Sequence, residues 1–270
     1  MIEIENGLLK DLLIKTQRKC HILGKPQAQV IACVLRCSNG IASTTSIVRD
    51  GKTSLSRFSV GCGDGEETVI IPDIERLLGV LKAHGKNIRI ERDAENNKIC
   101  VKSSTKQTTL IANIDGLAFP HSRDTIGEWE AKSLARAEQI RPEGYYITKI
   151  GSVRPAMATW TLPANDLYTA LSCDAVNKQM LNRYEFIQDK DGLSVIVGDE
   201  IMGQTRILLS ASRIAKDDFS VVVEGGLDNV LQNRKEMMVL QFYDFRDFEQ
   251  GIRLLMRFEG RDFVLQAGLL

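Results

Sequence analysis

Residues 73–92 read DIERLLGVLKAHGKNIRIER, and residues 247–266 read DFEQGIRLLMRFEGRDFVLQ. Both open Asp, apolar, Glu, polar, and both run through a helical pattern to a glycine, Gly85 in one and Gly260 in the other. A basic, a polar and an apolar residue follow each glycine, with one extra residue before it in the second stretch. An internal repeat constrains a fold more than any single motif, because one supersecondary unit must then build its core twice. A chain of 270 residues has room for two ordinary domains, each able to bury a core.

The flanking sequence carries the repeat further. MIEIE alternates as a strand, and NGLLKDLLIKTQRKC follows as a helix. Its spacing places Leu8, Leu9, Leu12, Leu13 and Thr16 on one face and turns Lys10, Lys15 and Arg18 away. QVIACVLRCSNGIASTTSIVRDGKTSLSRFSVG reads as strands, with Asn39-Gly40 and Asp50-Gly51 supplying the positive φ of two-residue hairpin turns. The turn GCGDGEE and the strand TVII lead to Pro72 and Asp73, which open a second helix with the stripe Ile74, Leu77, Leu78 and Leu81. Gly85 stops that helix, and KNIRIERD, NKICVKSS and QTTLIAN read as three antiparallel strands.

The last third restarts the pattern. ATWTLPANDLYTALSCDAVNKQ is strand then helix, with Leu167, Ala170 and Leu171 inward. RYEFIQDKDGLSVIVGDE is a hairpin turning at Asp191-Gly192, and GQTRILLSAS and FSVVVEGG extend the sheet. EMMVLQFYDFRDFEQGIRLLMRFEG reads as a strand and a fourth helix, and RDFVLQAGLL closes the chain. The expected division is an N-terminal domain over 1–115, a connector with an insertion over 116–157 and a C-terminal domain over 158–270. The second half is expected to be shorter, with fewer strands after its last helix. The connector could form a short helix around Trp129–Ile140, and a loop of this length in a compact protein is usually functional or partly disordered.

Lys and Arg total 35 against 35 Asp and Glu, so a nucleic-acid role would need basic residues gathered locally. The apolar and charged shares, 43% and 26%, are those of a soluble globular protein. No apolar run approaches the roughly 20 residues of a membrane span, and MIEIENGLLK does not read as a signal peptide. The cysteines at Cys20, Cys33, Cys37, Cys62, Cys100 and Cys173 make no CxxC pair and read as reduced thiols packed as small hydrophobes, as in a cytosolic protein. His21, His84 and His121 have no metal-binding spacing, so neither zinc nor a cofactor is expected. GCGDGEE lacks the lysine and hydroxyl of a phosphate-binding loop, and no nucleophile-base arrangement stands out. The chain does not read as an enzyme.

The expected fourth helix has Phe245, Phe248, Ile252 and Leu255 on one side and Arg246, Gln250, Arg253 and Arg257 on the other, with Asp247 and Glu249 flanking near its start. The first helix offers Lys10, Lys15, Arg18 and Lys19 against Asp11. The second offers Arg76, Lys82 and Lys86, with Gly79 and Ala83 where the fourth has arginines. The third contributes Lys178 and Arg183 near its end. Cations spaced along a helix can meet a run of phosphates without reading base sequence. A solvated helix face has the same pattern, so the two readings stand side by side here.

Two copies of β-α-β-β-β-β-α-β-β-β, with helices apolar on one side and basic on the other, resemble the DNA sliding clamp family, which includes proliferating cell nuclear antigen, the bacterial β clamp and the phage clamps. WTLPANDLYTAL at 160–171 is similar to the entry into a clamp domain's first helix, and MIEIENGLLKDLL is similar to a clamp N-terminus. The resemblance covers nearly all of the chain outside 116–157. It implies an α+β clamp fold, with antiparallel sheets outside and helices on the inner face. It further implies two-domain chains joined head to tail as a homotrimer, with sheets continuing across subunit edges. The ring would encircle double-stranded DNA and tether a DNA polymerase as a processivity factor, with a clamp loader as a further partner and no cofactor.

On that resemblance Lys10, Lys15, Arg18, Lys19, Arg76, Lys82, Lys86, Lys178, Arg183, Arg246, Arg253 and Arg257 would face DNA. Leu117, Ala118, Phe119, Val264, Leu265, Leu269 and Leu270 would border the pocket for partner peptides. The implied location is the cytoplasm, with the replicating DNA, or the nucleus in a eukaryote. Clamps are typically acidic overall with basic holes, whereas this chain is balanced; its connector is longer than the family's, and its second half is expected to lack a strand or two. Those departures fit a divergent viral or phage member, or a relative that no longer closes a ring. A clamp-fold replication accessory acting as a monomer or in a mixed ring, and an interaction module that binds no DNA, are the alternatives.

Overall fold

A computed structural model describes residues 1–22, 25–47, 54–93, 98–111, 140–141, 145–147, 153–173, 183–199, 203–215, 218–244, 251–260 and 262–268. By internal contacts the chain divides into two units. The first comprises Met1–Gln17, Val30–Gly51 and Ser56–Ala131, and the second Arg18–Gln29, Lys52–Leu55 and Lys132–Leu270.

The first half opens with β1 (Ile2–Glu5), α1 (Asn6–Gln17) and a hairpin of β2 (Lys19–Ile22) and β3 (Lys25–Ala28). Then come β4 (Ala32–Ser38), β5 (Ile41–Ile47), β6 (Ser54–Gly61), β7 (Glu67–Ile71), α2 (Ile74–Leu81), β8 (Asn87–Asp93), β9 (Lys98–Lys102) and β10 (Gln107–Ile111). One sheet of the first unit has the order β1-β8-β9-β10 and the other β6-β5-β4-β7. Alternation sets the first sheet's inner face: Ile2 lies opposite Ile90 and Ile4 opposite Ile88, and all four are buried. Asn39 and Gly40, at φ 54° and 71°, make the two-residue turn between β4 and β5 that their sequence demands.

A three-stranded sheet of β11 (Ile140–Arg141), β12 (Tyr145–Ile147) and β13 (Val153–Pro155) precedes the second series. Apart from Ile140, the helix expected around Trp129–Ile140 lies outside the described residues, and Ile140 itself begins a strand. The second series is β14 (Ala158–Pro163), α3 (Ala164–Ser172), β15 (Arg183–Asp189), β16 (Gly192–Asp199), β17 (Gly203–Leu208), β18 (Ser212–Ala215) and β19 (Phe219–Glu224). It closes with α4 (Leu227–Leu231), β20 (Met237–Asp244), β21 (Ile252–Arg257) and β22 (Phe263–Ala267). Within the second unit β14, β20, β21 and β22 neighbour one another in that order, with β18 beside β14, and a second sheet runs β17-β16-β15-β19. The β15–β16 turn is Lys190-Asp191, since Asp189 pairs with Gly192.

The duplication holds strand for strand. Strands β1, β8, β9 and β10 correspond to β14, β20, β21 and β22, and β6, β5, β4 and β7 to β17, β16, β15 and β19. Registers agree as well: Ile4 faces Ile88 as Leu162 faces Met238, and Ile90 faces Val101 as Leu240 faces Met256. The second copy therefore lacks no strand after its last helix, and the expectation that it was shorter there is corrected.

The repeat that pointed to the duplication was aligned on the wrong partner. The true counterpart of α2 is α4, because Asn6 N–H donates to Lys86 O just as Ala164 N–H donates to Glu236 O. Residues 252–257, expected in a fourth helix with Arg253 and Arg257 on its outer side, form the strand β21 instead. Ile252, Leu254 and Met256 are buried on one face, and Leu255 is buried on the other between Arg253 and Arg257. A short continuous apolar run satisfies helical and strand periodicity equally.

Lys19 and Cys20, expected at the end of α1, instead begin the β2–β3 hairpin. It belongs by contact to the second unit, where a Cβ on Gly226 would stand 2.1 Å from Lys19 O.

Candidate nucleic-acid interface

Each unit packs two helices side by side, α1 with α2 and α3 with α4. Burial of Leu9, Leu12, Leu13 and Thr16 seats α1 on β5, where Thr16 Oγ1 and Thr44 Oγ1 share a hydrogen bond of 2.6 Å. Leu8, expected on that inner face, is 40% exposed. Asp73 caps α2 by accepting from Arg76 N–H at 2.8 Å. Side chains pin the helix pair at both ends. Gln17 Nε2 donates to Glu75 Oε2 at 2.8 Å, and Asn6 Nδ2 donates to the carbonyls of Leu81, His84 and Gly85 at 2.9–3.0 Å.

In the second unit Ala164 replaces Asn6 and the end of α4 is held differently. Arg234 Nε donates to Val230 O at 3.1 Å, its other nitrogens pair with Glu236 and Asp262, and its guanidinium lies 4.1 Å from the centroid of the Phe258 ring. Burial pushes the Glu236 carboxyl up, but hydrogen bonds from Arg234 and nearby backbone outweigh this and leave it below its ordinary value. His84 occupies the position of Arg234 in the first unit, bonding Ser103 Oγ at 3.1 Å and Thr108 Oγ1 at 2.9 Å. Burial, and then the charge of Lys106, holds its pKa below the ordinary histidine value. The sequence showed none of these helix-end clasps: the Asn6, Gln17 and His84 bonds and the Arg234–Asp262 pair each join residues 19 or more positions apart.

The cations expected to face DNA are distributed unevenly. Arg76 and Lys82 are exposed on and just past α2, and Lys10 and Lys15 are half-buried on α1. Lys86 is exposed, 4.0 Å from the Glu5 carboxylate. Lys19 lies half-buried on β2, and Arg183 is exposed at the start of β15. Arg18 is fully buried immediately after α1, with φ 48°, so its guanidinium does not present to a ligand. Arg253 and Arg257 are half-buried on β21, and the helical argument that placed them on a common outer face falls with that helix. Lys178 and Arg246 lie outside the described residues.

Neither α3 nor α4 contains a lysine or arginine; the exposed side of α3 is Asn165, Asp166, Thr169 and Ser172. Acidic groups are interspersed on the first pair too, with Asp11 and Glu75 exposed. Of the residues expected to border a peptide pocket, Val264 and Leu265 are buried in β22, at 0% and 8% exposure. Leu117, Ala118, Phe119, Leu269 and Leu270 lie outside the described residues. Among the described residues no three His, Cys, Asp or Glu side chains are grouped as metal ligands, and no helix is long and apolar enough to cross a membrane.

No protein-family model matches the chain, and no curated protein matches its sequence. Solved structures do. The sliding clamp of Bacillus subtilis DNA polymerase aligns with 100% of the chain at a TM-score of 0.61 and 11% identity. The DNA polymerase III beta chain of Streptococcus pneumoniae aligns with 99% at 0.60 and 12%, and the beta subunit from Thermotoga maritima with 99% at 0.57 and 9%. The chain has the sliding-clamp fold. It spans 64–65% of the length of those three chains.

Proposed function

We propose that the chain is a non-catalytic DNA sliding clamp, a processivity factor that encircles duplex DNA and tethers a DNA polymerase. One observation carries the reading: two tandem units with identical strand order align end to end with bacterial polymerase clamps. A closed ring needs no tight grip on its duplex. A few non-specific phosphate contacts keep DNA centred while topology prevents escape, so a nearly balanced charge is compatible with the role. Helix-borne phosphate contacts fall to the first unit, through Lys10, Lys15 and Arg76 with Lys82 just past α2, since α3 and α4 carry no cation.

The ring closes as a head-to-tail homotrimer. Strand β10 ends one sheet of the first unit and β17 ends one sheet of the second. Each exposes most of its side chains and finishes on a large apolar residue, Ile111 or Leu208, that is 62% exposed. Exposed edges with apolar tips are a liability in a monomer and a joint in a ring. A loader that opens the ring and a polymerase that docks on it are the partners this role requires, wherever the replicating DNA lies, in the cytoplasm for a bacterial or phage protein.

The test is retention on DNA. After loading, a clamp stays on nicked circular DNA through a high-salt wash and slides off the same DNA once linearised. Equal retention on both forms would sink the ring reading. The absence of cations on α3 and α4 favours a second reading, a clamp-fold module that binds no DNA. Arg76→Glu with Lys82→Glu separates the two: a clamp loses several-fold in retention on circular DNA, and a module that binds none shows no association to lose.

A further inference from the structure

We propose that Cys37 and Cys62 form an oxidisable dithiol whose substrates are small peptide disulfides, closing to an intramolecular Cys37–Cys62 bond. Cys37 lies near the end of β4 and Cys62 directly follows β6, with β5 between those strands. Cys62 N–H donates to Gly40 O at 2.8 Å, which folds the chain back over the β4–β5 turn. The two sulfurs then stand 3.0 Å apart, with Cys37 Sγ also 3.7 Å from Gly63 O. Bonded sulfurs are about 2.05 Å apart, so closure needs a shift of only about 1 Å. A tetrahedral metal with bonds of about 2.3 Å would hold two sulfurs nearly 3.8 Å apart. No group of three metal-binding side chains exists among the described residues, and the pair is set for a disulfide instead.

Access is one-sided. Cys62 opens into a groove of about 1070 Å³ bordered by Glu3, Glu5, Lys86, Arg89 and Ser103, whereas Cys37 is 1% exposed. Charges of both signs line the groove, with Arg89 2.7 Å from the Glu3 carboxylate and Lys86 4.0 Å from Glu5. Such a rim suits a zwitterionic peptide disulfide of the glutathione type. The Cys62 thiolate attacks one sulfur of that disulfide and releases the first thiol, leaving a mixed disulfide on Cys62. The Cys37 thiolate then attacks the Cys62 sulfur and expels the second thiol. One protein disulfide forms and one small disulfide breaks. The two cysteine protons end on the two released thiols.

Burial, together with Cys37 and Asp64, pushes the Cys62 thiol up to about 12. The thiolate is therefore scarce at neutral pH, and the reaction quickens about tenfold per pH unit below that value. Cys33 is fully buried, and the exposed Cys173 serves as an internal control for a thiol open to solvent.

The experiment treats the full chain with millimolar oxidised glutathione at pH 8 and pH 9, quenches with acid and maps the cysteines by mass spectrometry. The expected product has the Cys37 and Cys62 peptides joined with loss of two hydrogens and no glutathione on either. It forms about tenfold faster at pH 9, while Cys173 carries glutathione. In Cys37→Ser, glutathione accumulates on Cys62. Persistent glutathione on Cys62 of the unaltered chain would overturn the proposal, and so would an unreacted Cys62 beside a modified Cys173.

Discussion

The two copies solve the same local problem with different residues. A helix ends with carbonyls that its own backbone leaves without donors. Past the end of α2 Asn6 reaches across from the start of α1 with one amide nitrogen to the carbonyls of His84 and Gly85, and to that of Leu81, which also accepts from His84 N–H. Asn6→Ala removes the one side-chain donor these carbonyls share and is expected to cost about 2 kcal/mol in urea unfolding. Asn6→Asp places a carboxylate against them and should cost more; a smaller loss than for alanine would show that the amide donates nothing essential. His84 adds a pH term. Its folded pKa lies below the ordinary 6.5, through burial first and Lys106 second. The unfolded chain therefore takes up the proton earlier, and the stability His84 contributes, complete above about pH 6.5, is lost as pH falls toward the folded value. The groups around it are the hydroxyls of Ser103 and Thr108 and the charge of Lys106. Between pH 7.5 and 5.5 the unaltered chain should lose more stability than His84→Gln, measured by urea midpoints; equal slopes would refute the assignment.

At the scale of elements, legibility followed the number of faces that water touches. β1, β8 and β9 alternate because one face is solvated, and each was readable from Ile2-Ile4, Ile88-Ile90 or Ile99-Val101. α1 and α2 were readable for the same reason at the helical period. β21 was not, since Leu255, buried on the face opposite Ile252, Leu254 and Met256, gives the apolar run Leu254-Leu255-Met256 and interrupts the alternation that separates strand from helix. With it went the placement of Arg253 and Arg257, whereas Arg76 stayed exposed on α2 and Lys82 exposed just past its end. The β2–β3 hairpin was hidden for another reason: its place is set by a contact about 200 residues away in sequence, as no local pattern can report. Gly226 is the point of that contact, with φ −75° and so no need of glycine for its backbone. What it needs is space, because a Cβ would stand 2.1 Å from Lys19 O and 2.8 Å from Lys19 C. Gly226→Ala should therefore displace the hairpin and destabilise by about 2–3 kcal/mol. Limited proteolysis should then cut first between residues 18 and 29, and an unchanged cleavage map would remove the close approach as the reason for this glycine.

For the whole molecule the proposed ring requires copies to join, and the duplication narrows how they can. β10 and β17 occupy different places in their respective units, the first the counterpart of β22 and the second the counterpart of β6. Two unlike edges, one per unit, suit a heterologous joint in which β10 of one copy meets β17 of the next; like edges would give a two-fold dimer that cannot extend. The proposed ring then makes a specific demand on two single variants. Ile111→Lys puts a charge on the β10 edge and Leu208→Lys puts one on the β17 edge, and both residues are 62% exposed, so neither change disturbs a core. Each variant alone has lost every joint and should elute with the mass of one 30.1 kDa chain by light scattering. Mixed in equal amounts, they retain one sound pairing, the intact β10 of the Leu208→Lys chain against the intact β17 of the Ile111→Lys chain. The mixture should therefore show a species of twice the chain mass and nothing larger, while the unaltered chain reaches three times that mass. If Leu208→Lys dimerises alone, β10 pairs with itself and the joint is isologous, so the copies do not close a head-to-tail ring. If the mixture stays monomeric beside a trimeric unaltered chain, the joint lies elsewhere on the surface and the two sheet edges are not its components.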